Sequence, residues 1–240
     1  MTGDSAPHRF YAAGMAEKAW LSWSSGKDSA WALHMLRRDP ELEVVGLLTT
    51  VNQHFGRVAM HAVRTELLRA QADAAGLPLL EVGIPFPCSN EQYEAAMSTA
   101  VESARAQGVT VMAFGDLFLE DIRAYRLEKL AGTGLRPCFP LWGLPTDALA
   151  QSMLDGGLQA RLTCVDPRQL PAKFAGRAFD AALLRELPGG VDPCGERGEF
   201  HTFAHAGPMF RWPVPLAAGE VVERDGFVFA DFMLATGAAA

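Results

Sequence analysis

Apolar and polar positions change along the first half of the chain in blocks whose period switches between strand and helix. Residues 18 to 23 read as a short buried strand, and from Asp28 onward Ala30, Leu33 and Leu36 recur at helical spacing. "LEVVGLLTTV" (42–51) is the continuous apolar run that a buried parallel strand carries. In "MHAVRTELLRAQADAAG", Met60, Val63, Leu67, Ala70 and Ala74 share one face and Gly76 stops the helix. "LPLLEVGI" offers a third strand. "SNEQYEAAMSTAVESARAQG" begins with a Ser89 or Asn90 cap and turns Tyr93, Met97, Ala100, Val101 and Ala104 inward. "VTVMAFGD" supplies a fourth strand ending at Gly115 and Asp116. This order predicts an α/β fold, a doubly wound and mostly parallel sheet covered by helices, with its ligand crevice at the carboxyl ends of the strands. The turns after the first and fourth strands, residues 24–29 and 115–120, then lie on one edge and face one ligand.

Beyond residue 140 the texture changes. Pro137, Pro140 and Pro145 bracket "LWG", a helix pattern covers 147–155, and "LQARLTCV" reads as a strand. "AFDAALLREL" is another short helix, and "EVVERDGFVFADFML" a β-hairpin around Arg224, Asp225 and Gly226. We therefore expect a nucleotide-binding domain over 17–140, a smaller α+β lobe over 141–235 packed tightly on it, and flexible tails at 1–16 and 236–240. A net charge of −7 argues against nonspecific nucleic-acid binding. The four cysteines, Cys88, Cys138, Cys164 and Cys194, form no CxxC pair, which excludes the common zinc and iron–sulfur spacings and suits reduced thiols in the cytoplasm. No apolar run approaches the roughly 18 residues of a membrane span, and the start lacks a signal-peptide core.

The first turn carries the most telling chemistry. "SSGKDS", residues 24–29, sits where a strand hands over to a helix N-terminus, whose N–H groups and dipole favour an anion. Gly26 permits close approach, Lys27 adds a mobile positive charge, and Ser24, Ser25 and Ser29 offer hydroxyls. A Walker A loop is excluded, because that motif needs glycine where Leu21 stands and Ser or Thr where Asp28 stands. The segment instead resembles the SGGKDS signature of the PP-loop ATP pyrophosphatases, with Ser25 in the place of the first glycine. A serine fits that turn if its φ is negative.

Two further segments concentrate functional groups. In 115–143, Glu120, Arg123 and Arg126 share a helix face, suited either to an acidic substrate or to ordinary intrahelical ion pairs. Asp116 follows a strand end, where it could hold Mg²⁺ or a ribose. In "CGERGEFHT" (194–202), Glu196, Glu199, His201 and Thr202 emerge from a glycine-flanked loop, and Glu199 and His201 project to one side if 199–204 is extended. No HExxH zinc motif is present.

Together "SSGKDS", "FGDLFLEDIRAYR…GLRPCFPLWG" and "DPCGERGEFHTF" resemble the diphthine–ammonia ligase family of the adenine nucleotide alpha-hydrolase superfamily, over residues 18 to 212. The resemblance implies ATP binding by Ser24, Ser25, Gly26, Lys27, Asp28 and Ser29, with Gly115, Asp116 and Glu120 beside the nucleotide and Mg²⁺ carried by ATP near Asp116. It implies catalytic roles for Lys27, Asp116, Glu120, Glu199 and His201. Arg123, Arg126, Glu196 and Thr202 would line the acceptor pocket. Its chemistry is adenylation of a carboxylate with release of pyrophosphate, then attack by ammonia; the acceptor, small molecule or protein, stays open. Two competing readings are a tRNA-thiolating relative, which would want a basic face and reactive cysteines, and a non-catalytic ATP- or AMP-binding regulator.

Overall fold

The computed structural model describes residues 16–54, 56–58 and 63–235. Met60 and the expected tails, apart from Ala16, lie outside the described residues. The first sheet comprises β1 (Glu17–Ser22), β2 (Leu42–Asn52), β3 (Arg57–Val58), β4 (Leu79–Ile84), β5 (Val111–Ala113) and β6 (Arg136–Cys138). Its parallel strands run in the order β4-β2-β1-β5-β6, and β3 pairs antiparallel with the end of β2. The chain leaves β1 toward β2 on one side and later returns to β5 on the other. The boundary between β1 and β5 is therefore the switch point at which such sheets open a crevice.

Helices α1 (Lys27–Leu36), α2 (Thr65–Ala75), α3 (Asn90–Ala106) and α4 (Glu120–Leu130) connect these strands. Their ends follow local rules. α2 stops at Gly76, which takes the left-handed conformation (φ 66°), and α3 opens with a reciprocal capping box between Ser89 and Gln92. Two strands escape a sequence reading. β3 has two residues, and β6 has three with Pro137 at its centre; a residue without an N–H is tolerated there because β6 is a sheet edge. The expected fourth strand is shorter than "VTVMAFGD", since the chain turns after Ala113.

The second sheet is antiparallel, β8-β7-β10-β9, from β7 (Gln159–Val165), β8 (Phe200–Ala206), β9 (Leu216–Arg224) and β10 (Phe227–Leu234). Helices α5 (Thr146–Asp155) and α6 (Ala181–Glu186) accompany it, and Asp180 caps α6 by accepting from the Leu183 N–H at 2.7 Å. The β9–β10 hairpin turns at Asp225 and Gly226, both at positive φ (53° and 79°), as the Asp-Gly pair favours.

One hydrophobic cluster spans both sheets, joining Leu21, Trp23, Leu33 and Leu68 to Phe174, Phe200 and Phe203. Each such large side chain, buried whole, contributes roughly 1.5–3 kcal/mol. At its centre the fully buried Gln71 of α2 accepts from the Trp23 indole N–H at 2.9 Å and donates to the carbonyls of Ser25 and Ala204. An amide is the one side chain that can accept from the ring and give to both carbonyls. Gln71→Leu should keep the volume but orphan the indole, lowering unfolding free energy by about 3 kcal/mol. Urea denaturation checks this; a loss below ~1 kcal/mol would show that Gln71 only fills space.

Candidate active site

The turn after β1 forms the start of α1, whose N–H groups and dipole favour an anion. Gly26 is the N-cap residue in extended conformation, its N–H 3.3 Å from Ser24 Oγ; Ser29 Oγ donates to the Gly26 carbonyl at 3.0 Å, and the two hydroxyls of Ser24 and Ser29 are 3.1 Å apart. Ser25 departs from expectation. Its φ is +70°, in the left-handed region, not negative. It is fully buried, and its hydroxyl lacks a hydrogen-bond partner. The position therefore asks for glycine on two counts, backbone and side chain. It is held because the Ser25 carbonyl accepts from both Gln71 and the Ala204 N–H at 3.0 Å.

Lys27 is not a mobile charge. Its side chain is 2% exposed, and its ammonium donates to Asp28 (2.8 and 3.0 Å) and to the Cys194 carbonyl, with the rings of Phe179 and Phe200 within 5.7 and 5.4 Å. Burial by itself would lower the ammonium pKa, but Asp28, through charge and hydrogen bond, together with Cys194 and Glu196 nearby, outweighs it and the net shift is upward. The Lys27 N–H is also engaged, donating to Thr202 Oγ1 at 3.0 Å. Thr202, expected to touch substrate, thus holds the turn from β8.

Glu199 is likewise placed differently from the sequence expectation. It lies in the turn before β8 rather than in the strand, so the alternation that would align it with His201 does not reach it. It is 1% exposed, and its two carboxylate oxygens accept from the Asp192 and Arg197 N–H groups at 2.9 Å each, stapling the loop. His201 lies in β8, where burial and the nearby Lys27 charge push its pKa down to about 4 and keep it neutral.

The turn after β5 meets this assembly. A Cβ on Gly115 would lie 3.0 Å from the Asp28 carbonyl carbon and the Ser29 nitrogen, so the two turns share the edge the sequence predicted and touch there. Glu196 reaches across from the loop before β8 and accepts from the Leu117 N–H at 2.8 Å; the Leu117 carbonyl accepts from Gly143 at 2.8 Å. Burial, with Asp28 and Asp116 nearby, raises the Glu196 pKa to about 7. Asp116 pairs with Arg126 Nε at 3.2 Å, and that guanidinium lies 4.5 Å from the Phe114 ring centroid. Glu120 stands exposed at the start of α4, 3.8 Å from Arg123, so α4 splits its charges between edge and solvent. Among the described residues no three His, Cys, Asp or Glu side chains cluster as a metal site.

Beside Ser24 a cavity of about 360 Å³ opens at the carboxyl edge, within the range of small-ligand sites. Its floor is Ser22 to Ser24, Leu48 to Thr50, Met112 and Phe114; α3 covers it with Tyr93 and Met97, and α4 with Tyr125, Arg126 and Lys129. The hydrophobic pattern had marked Tyr93, Met97 and Val101 as inward, and they are; Met97 and Val101 pack against a second hydrophobic cluster around Trp20, Leu48 and Met112, and all three also line the cavity. Only Ala100 and Ala104 of α3 are fully buried.

Known proteins resemble the chain along both sheets. The family description "Diphthamide synthase N-terminal domain" matches residues 17–137, and "Diphthamide synthase C-terminal domain" matches 145–229. A diphthine–ammonia ligase of Danio rerio is 33% identical over 178 residues, 66% of this chain and 68% of the relative. Those of Bos taurus and Homo sapiens are 31% and 30% identical over 135 residues, 54% of this chain. The chain spans about half the length of these two relatives (49%).

Ser25→Gly should relieve both the left-handed serine and its orphan hydroxyl, raising stability by about 1 kcal/mol in chemical denaturation, where a neutral or destabilising result would show the strain to be absent. A raised carboxyl pKa means that the folded chain binds the Glu196 proton more tightly than the unfolded one. Its contribution to stability therefore falls as pH rises from about 4.5 to about 7 and is level beyond. Glu196→Gln should accordingly be more stable than the parent at pH 7.5, with the gap closing by pH 4.5; a gap independent of pH would assign the ionisation elsewhere.

Proposed function

The chain belongs to the diphthamide synthase family, and on that premise we propose that it is an ATP-dependent carbon–nitrogen ligase that forms an amide from a carboxylate and ammonia, releasing AMP and pyrophosphate. The observation that carries this reading is the continuity of an apolar cavity with an anion-favouring helix start at one sheet edge, both touched by the turn after β5. The purine and ribose fit the cavity, between Met112, Phe114 and the face of α3, and the phosphates fit the N-terminus of α1 with the hydroxyls of Ser24 and Ser29. Mg²⁺ carried by the phosphates would neutralise charge there. Asp116, a single carboxylate at the strand end that pairs with Arg126, would hold it, in keeping with the usual reliance of Mg²⁺ on one or two carboxylates plus phosphates.

In this reading the acceptor carboxylate oxygen attacks the α-phosphorus and pyrophosphate departs. Ammonia then attacks the acyl carbon, and AMP leaves with the former carboxylate oxygen. No enzyme nucleophile is needed; alignment and charge neutralisation suffice. Lys27, Thr202 and Glu199 act here as positioning residues that fix the turn, and Glu196 sets the approach of the turn after β5. Neutral His201 lies behind Lys27. A thiolating mechanism is disfavoured because burial pushes the thiols of Cys164 and Cys194 up to about 12. Reduced cysteines and the lack of any described helix able to cross a membrane suit the cytoplasm we assign.

With α-³²P-labelled ATP, ammonia and a productive acceptor, labelled AMP should form in step with pyrophosphate, and an ¹⁸O-labelled carboxylate should pass one oxygen to AMP. ADP and phosphate as the products would replace adenylation with acyl-phosphate chemistry. ATP bound without any turnover across acceptors would favour the regulatory reading.

A further inference from the structure

Arg126 is engaged on two sides at once. From the second turn of α4 its guanidinium carbon lies 4.5 Å from the ring centroid of Phe114, which lines the cavity, and its Nε donates to Asp116 Oδ2 at 3.2 Å. Both Arg126 and Asp116 are partly buried. The other cations of α4 pair elsewhere: Arg123 lies over Trp142 and beside Glu120, and Lys129 donates to Glu94 at 2.6 Å.

The contact to Asp116 differs from the forked pairs elsewhere in the chain. Arg69 with Glu81, Arg168 with Asp166 and Arg177 with Glu186 each close a two-bond fork that takes both carboxylate oxygens. Arg126 takes one oxygen only, and no other side-chain hydrogen bond among the described residues reaches Asp116. Its Oδ1 is therefore uncommitted. Asp116 lies in an irregular turn between β5 and α4, where no regular backbone limits the rotamer of a carboxylate. The single bond from Arg126, itself resting on the Phe114 ring, supplies that limit.

We propose that Arg126 is a positioning residue for the divalent cation that accompanies the nucleotide: by holding Asp116 Oδ2 it leaves Oδ1 for that cation. This rests on the reading of the edge as a Mg²⁺·ATP site. Partners that hydrogen-bond a ligating carboxylate fix its orientation, and their loss weakens metal binding roughly 10–100-fold. The donor chemistry fits, because a cation bound through phosphates uses one or two carboxylates from the protein. A guanidinium near a cation also repels it. Here Asp28, Asp116 and Glu196, close enough that the first two raise the pKa of the third, stand against Lys27 and Arg126 and leave no positive excess. Because Arg126 also lines the cavity, the cation site and the cavity share one side chain.

Calorimetric titration of the full chain with α,β-methylene-ATP, whose α–β bridge resists cleavage, in Mg²⁺ and again in EDTA, tests this through the ratio of the two affinities. A direct contact of Arg126 with the nucleotide, or a purely structural role, would move both affinities and cancel in the ratio. In the parent, Mg²⁺ should tighten binding. Arg126→Gln should lower the ratio about tenfold, Asp116→Asn at least as much, and the double variant no further than Asp116→Asn alone, because Arg126 acts through Asp116. Arg126→Lys still offers the one donor that the contact uses and should return the ratio to within about threefold of the parent. Melting temperatures confirm folded variants. A ratio untouched by Arg126→Gln, or losses that multiply in the double variant, would overturn the proposal. A parent that binds the analogue equally well with and without Mg²⁺ overturns it too and leaves the ligase reading standing. A parent that binds the analogue in neither condition rejects the nucleotide reading and the proposal with it.

Discussion

Everything at the carboxyl edge depends on the attachment of β8 to the turn after β1. The Ala204 N–H binds the Ser25 carbonyl, Thr202 Oγ1 takes the Lys27 N–H, the Lys27 ammonium reaches the Cys194 carbonyl, and Gln71 ties Ser25 to Ala204 from below. These bonds join an antiparallel sheet to the turn that opens α1 on a parallel one. They also explain how a serine is kept at positive φ, since a strained residue persists only where its surroundings over-determine it.

The electrostatics follow from that attachment. A lysine at a helix start with this signature would ordinarily be assigned to an anion, yet here its charge is spent inside, on Asp28 and on a loop carbonyl between two rings. The field that an anion there would meet then comes from the helix start, from hydroxyls, and from Arg126 of α4. Burial is the main cause of the raised pKa of Glu196, and the nearby Asp28 and Asp116 carboxylates add to it.

Much of this was legible in the sequence. The alternation of blocks gave the parallel sheet, and the carboxyl-edge rule placed residues 24–29 and 115–120 together before any coordinates. The signature residues also located the turn. What stayed hidden had physical reasons. A two-residue β3 and a β6 centred on Pro137 have no periodicity to read. Glu199 and Thr202 look like site residues because they are polar amid glycines, but whether a polar group faces ligand or backbone depends on contacts 175 residues apart in sequence, such as Lys27 with Thr202. Tyr93 and Met97 show the converse, since an apolar face reads the same whether it meets only a core or, as here, also borders a cavity.

The Leu117 peptide has a further consequence for how the edge tolerates change. Its N–H is bonded to Glu196 and its carbonyl accepts from Gly143, so the turn after β5 is held from two segments far apart in sequence. Loss of one bond leaves the other in place, and a substitution in either segment therefore loosens the turn without freeing it.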